Sequence, residues 1–160
     1  MKGGKPIDPF RPEPGEESPH WMSRIVSVQG VGTRRQRLRR TVAEALRRLL
    51  AKDELDGEAR DLAALIVFSL REIDQGIEQT VAAWEKRDYY LKADRFAQEW
   101  RWAVPAADEL EEILREEAWE RLPASLASLL SHFSDITVNR MVRPEELWQG
   151  CYERLLAGTK

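Results

Sequence analysis

One cysteine, two histidines and no long apolar run set the first limits on this 160-residue chain. Cys151 has no second cysteine to meet, so no intrachain disulfide is expected to brace the fold. A chain of this length can bury roughly 70% of the surface its unfolded form exposes, so it needs no covalent staple. No segment approaches the ~18 consecutive apolar residues of a membrane span, and no apolar stretch follows the N-terminal lysines as in a secretory signal. The cytoplasm is therefore the expected location. An excess of one charge sign is also missing: 25 basic side chains face 28 acidic ones. Attraction to nucleic acid or an anionic membrane must then come from a local patch, not a global field.

The shortage of histidine bears on chemistry. Helical bundles hold paired metals with carboxylates and Glu-x-x-His pairs, but the residue three before His132 is Leu129 and His20 lies near the N-terminus. No metal or cofactor is expected. Cys151 falls on an apolar helical face with no base beside it in sequence, and a buried thiol behaves as a small hydrophobe. A lone His132 beside Phe133 does not make a catalytic constellation. The turn-like "VSVQGVGT" offers Gly30 and Gly32, yet Arg35 stands where a dinucleotide fingerprint needs its third glycine. The expectation is a non-enzymatic protein.

Glycine and proline are scarce except at one end. Residues 1–22 hold five of the eight prolines and three of the nine glycines, which reads as a flexible arm ahead of one helical domain over 23–160. Ile25, Val26, Val28 and Val31, punctuated by the two glycines, predict a short extended segment.

What the rest of the chain has is helical periodicity. Thr33 suits a cap for a first helix reaching about Lys52, with Leu38, Val42, Leu46 and Leu49 on one face. After Gly57, a stripe from Leu62 through Ile66, Leu70, Ile73, Ile77 and Val81 to Trp84 predicts a long, deeply buried second helix. The step from Trp84 to Tyr89 fits neither stripe. A turn is expected there, with Lys86 and Arg87 at a helix end and Asp88 as the next cap; the rival reading is one unbroken helix. From Tyr89 a heptad seam runs through Ala93, Phe96, Trp100, Ala103, Ala107, Leu110 and Leu114, predicting a second long, antiparallel helix kinked at Pro105. Pro123 opens a fourth helix carrying Leu126, Leu129, Leu130, Phe133 and Ile136, and Pro144 a last one carrying Leu147, Trp148, Cys151 and Leu155. The expected fold is an all-α bundle of about five helices.

Three surface signals remain. Residues 34–48 carry seven arginines against Glu44 alone, and Arg37, Arg40, Arg47 and Arg48 fall opposite the apolar stripe, as a basic patch facing solvent or a partner. Residues 108–120 carry seven acidic side chains against Arg115, a patch of opposite sign that can pair within the fold or between two copies. Leu91 and Trp102, three turns apart on the side away from the seam, enclose Arg95 and Gln98 in the kind of aromatic and arginine strip that anchors interfaces, unless another helix covers it. These features favour a helical protein-interaction domain, an assembly factor, adaptor or complex subunit, whose partner is another protein or a second copy. Nucleic-acid binding through the arginine-rich helix is the alternative, and an enzyme with an unrecognised site a further one.

Overall fold

A computed structural model describes the chain over residues 20–158, with side chains described from Gly30 onward. Within these residues the elements are α1 (His20–Leu50), α2 (Gly57–Lys86), α3 (Tyr90–Glu99), α4 (Ala103–Glu116), a 3-10 turn (Trp119–Arg121), α5 (Leu122–Leu130), a second 3-10 turn (Glu145–Leu147) and α6 (Cys151–Leu156). The fold is an all-α bundle, and no strand occurs among the described residues.

The frame is the pair α1 and α2, of 31 and 30 residues. Val31 meets Gly76, Arg34 pairs with Glu72, and Arg48 pairs with Glu58, so positions rise along one helix as they fall along the other. This antiparallel pair adds to the expected one, since α2 also packs against α3 and α4, the two pieces of the expected third helix. Small side chains share the core: Ala43, Ala45, Ala59, Ala63 and Ala64 are buried in one cluster with Val42, Leu46, Leu62, Ile66 and Leu70. Complete burial of such a leucine or isoleucine contributes about 1.5–3 kcal/mol.

The expected extended segment is helical instead. The β-branched residues and glycines near 25–32 weaken a helix by only about 0.7–1 kcal/mol each, and packing offsets that. Val31 is buried against Gly76, where an added Cβ would lie 3.0 Å from Val31 Cγ1. Thr33 is consequently not a cap but an interior residue of α1. The arm expected for residues 1–22 lies outside the described residues, except for its last three, which belong to α1.

The turn after α2 falls where expected, which excludes one continuous helix. Its chemistry differs: Asp88 adopts φ 63°, and the Tyr89 amide donates to the Trp84 carbonyl at 2.9 Å. Asp88 closes α2 in the left-handed region and does not cap α3 through its side chain; Tyr89 occupies the cap position. The heptad seam is then cut in two, because Pro105 has no amide to donate and its ring excludes the carbonyl four residues back, that of Arg101. The chain responds by breaking at Trp100–Trp102 and restarting α4 at Ala103, which leaves Pro105 in the first turn, where a missing donor is harmless.

The C-terminal segment is irregular but well anchored. Asp61 accepts the amides of Gly150 and Tyr152, at 3.2 and 2.9 Å, at the start of α6, while Arg115 donates to the Leu155 and Leu156 carbonyls at its end. Six residues of helix persist because both ends are satisfied by the neighbours. Cys151 and Leu155 point into the core, as the sequence pattern implied.

Glu117 ends α4 at φ 55°, a conformation that costs a non-glycine residue about 1–2 kcal/mol. Glu117→Gly is expected to stabilise the protein by roughly 1 kcal/mol, a rise in Tm of about 2–4 °C for a domain of this size. Calorimetry checks this, and an unchanged or lower Tm contradicts it.

Candidate interaction surfaces

The arginine run of α1 does not form one open patch. Arg34 pairs with Glu72 and Arg48 with Glu58 at 2.7 Å, while Arg48 also lies over the Trp148 ring. Arg39 grips Asp135 with two nitrogens, at 2.6 and 3.0 Å, and donates to the His132 carbonyl. Arg35 lies 4.9 Å above the Phe96 ring. Of the four residues expected to face outward together, Arg40 and Arg48 are held by carboxylates of the same chain, and only Arg37 and Arg47 are exposed without an ion pair among the described residues.

The acid in the middle of that run is the pivot of the arrangement. The Glu44 side chain has no exposed surface, yet it is fully partnered: Arg40 Nε donates at 2.9 Å, the amides of Val142 and Arg143 donate at 2.7 and 3.2 Å, and an Arg143 nitrogen lies 3.6 Å away. Arg143 also donates to Thr41 Oγ1 and to the Arg37 carbonyl. The segment after α5 is thereby clasped to α1 across about one hundred positions of sequence. A signal for this was present, an acid among Val42, Ala43, Ala45 and Leu46 with an arginine four residues before it, but its partner Arg143 lay too far away in sequence to be inferred.

The expected strip of Leu91, Arg95, Gln98 and Trp102 is not assembled. The first three lie exposed on the outer side of α3. Trp102 follows the break, so its ring turns inward: it stacks on His132 at 3.8 Å between centroids and 7° between planes, and meets Phe133 edge-on at 5.7 Å. The cover over Trp102 is the end of α5, not the last helix with Trp148, which is buried elsewhere against the core. Burial holds the His132 imidazole below its ordinary pKa.

At the other end of α3 the departure runs the opposite way. Tyr89, assigned to the seam by its spacing, is 50% exposed, and it adjoins Tyr90 and Leu91, at 61% and 64%. Behind this apex Trp84 packs on Phe96 at 5.1 Å, with Lys92 Nζ 4.5 Å above the Trp84 ring. The apex thus presents two phenol rings and a leucine beside Lys86, Arg87, Lys92 and Arg95, all exposed. The signal missed was the turn itself, since a residue at a hairpin tip has no helix opposite it.

The acidic run of α4 does not meet the arginines of α1. Asp108 and Glu111 pair with Arg71, Glu111 also with Arg115, and Glu112 with Arg121. Glu109, Glu116, Glu117 and Glu120 are exposed with no ion pair among the described residues. Cys151 lies buried with Arg154 3.0 Å from its sulfur; burial pushes the thiol pKa up, against the opposing pull of that arginine. Among the described residues no group of three or more His, Cys, Asp or Glu side chains converges, and no helix is long and apolar enough to cross a membrane. The chain matches no family model, no curated protein and no solved structure.

Burial raises the Glu44 pKa, but the bonds from Arg40 and from the Val142 and Arg143 amides, with the Arg143 charge, outweigh it and leave the group below its ordinary value. Its contribution is therefore complete above the unfolded value of about 4.3 and is lost as pH falls through the lower folded one. Glu44→Ala is expected to cost about 3–5 kcal/mol, because the arginines and two amides lose their acceptor. Urea titrations should show that penalty at pH 7 and a smaller one near pH 3; a constant difference would contradict the assignment.

Proposed function

We propose that this chain is a non-catalytic helical protein-interaction domain, serving as an assembly factor, adaptor or complex subunit in the cytoplasm. The observation that carries the reading is the apex of the α2–α3 hairpin, where Tyr89, Tyr90 and Leu91 are exposed side by side. Tyrosine supplies large contact area at small entropic cost, and arginine beside it is the usual companion at interface centres. A buried frame holds the apex: Ala93 packs into the hairpin, and Trp84 and Phe96 fix the angle between the two helices. Arg95 and Gln98 extend the surface along the outer side of α3. Nucleic-acid binding through α1 is the less supported reading, since Arg34, Arg39, Arg40 and Arg48 already hold carboxylates and few guanidiniums are left for phosphates.

Tyr90→Ser combined with Leu91→Ser removes apolar surface left exposed among the described residues, so the melting temperature should stay within about 2 °C of wild type. A partner that co-purifies with the wild-type chain from its native cell should be lost from the variant. Retention at normal stoichiometry would eliminate the apex, and salt-sensitive DNA or RNA binding abolished by Arg37→Glu with Arg47→Glu would favour the alternative.

A further inference from the structure

A second surface lies apart from the apex. The C-terminal segment crosses the seam between α1 and α2 through Arg143, which reaches Thr41 and the Arg37 carbonyl, and through Trp148 beside Arg48. Toward Gly30 the same seam is an open groove of about 1180 Å³, with the half-buried Leu38 and Phe68 in its floor and Arg34, Arg37, Arg143 and Arg154 around it. The one carboxylate among its described lining residues, Glu72, is taken up by Arg34. Arg37 and Arg154 have no acidic partner among the described residues, so the groove carries an uncompensated positive field over an apolar floor.

We propose that this groove receives the acidic outer face of α4 from a second copy of the chain. Glu109, Glu112 and Glu116 recur at spacings of three and four, a single strip about 10 Å long on that helix. Its Glu109 and Glu116, with Glu117 and Glu120 just beyond, have no cation within the described chain, and exposed Val104 stands at the start of the same helix. Charge complementarity between a basic groove that no described residue neutralises and an acidic strip whose Glu109 and Glu116 lack a described cation picks the occupant.

The placement of the two patches allows the contact to be reciprocal. Adjacent residues of α2 face their two flanks: Arg71 binds Asp108 and Glu111 of α4, whereas Glu72 binds Arg34 at the groove. Successive helical residues point about 100° apart, so the groove and the flank that holds α4 are neighbouring sides of α2, and the strip lies on the helix so held. Two copies related by a two-fold axis then fill each other's groove at once, closing a dimer and not an open chain. Much of the attraction is between exposed charges, so the association is salt-sensitive.

Sedimentation equilibrium of the full chain, from about 20 to 500 mM NaCl, tests this. The average mass should exceed the monomer's 18.5 kDa at low salt and fall toward it as salt rises. Arg37→Glu with Arg154→Glu, and separately Glu109→Lys with Glu116→Lys, should each weaken self-association about tenfold or more. An equimolar mixture of the two reversed variants should recover it, because one basic and one acidic contact become mutually complementary again. Circular dichroism melts confirm folding, and the milder Arg37→Gln and Glu116→Gln should weaken association in the same direction if a reversed variant does not fold. Tyr90→Ser with Leu91→Ser should leave the dimer intact, which separates this contact from the apex. A monomer at every salt concentration, an association indifferent to both reversals, or a mixture that does not recover would overturn the proposal.

Discussion

The close approach of α1 to α2 is the constraint on which the other elements depend. At one end Val31 docks on Gly76, where no Cβ stands in the way, and toward the other the buried alanines and leucines of both helices join one core. Once the pair is closed, its edges define two faces. The flank bearing Arg35 and Arg39 receives Phe96 of α3 and the end of α5, and the flank bearing Thr41, Glu44 and Arg48 receives the C-terminal segment. Neither α6, at six residues, nor α5, at nine, has the length to persist alone in water. Both are helical because the pair gives them a surface to dry.

Glu44 shows how the second face is secured. A buried carboxylate is costly unless every lone pair is used, and here Arg40, Arg143 and two backbone amides use them. The ionic cluster adds specificity of position more than net stability, because an apolar replacement of the whole group would also be tolerated energetically. It fixes where the segment after α5 crosses α1.

Several of the arginines therefore act as tethers between elements: Arg34 and Arg48 reach α2 and Arg39 the turn after α5, while Arg40 pairs with Glu44 of its own helix. Seven cations within fifteen residues look like one field when read along the chain, but in three dimensions most are neutralised one by one. The field that survives lies at Arg37 and Arg47 of α1, with Arg154 of α6 joining Arg37 at the groove. Its negative counterpart survives on α4 for the same reason, since Arg71, Arg115 and Arg121 satisfy only part of the acidic run. Aromatic residues divide in a similar way: Trp102 and Trp148 are drawn into the packing, while the two tyrosines at the hairpin tip are left outside.

The sequence by itself determined the helical class, the long stripe of α2, the position of the turn after it, and the burial of Leu126, Leu129, Cys151 and Leu155, because these follow from a period of 3.6 residues; Leu130 and Leu147, assigned to the same faces, are exposed because α5 ends at Leu130 and α6 starts only at Cys151. It misassigned residues 24–32, where propensity for extended chain was outweighed by Val31 docking on a glycine 45 residues away. It also drew α3 and α4 as one rod, since a heptad count does not register that proline relocates a helix start. Tyr89, placed in the seam, is exposed, and of the two readings of Trp102 it is cover by another element that holds, though by the turn after α5. Only the tertiary structure decided those, and which arginine meets which acid, because a contact between distant segments depends on where whole helices end and turn, information that no local period contains.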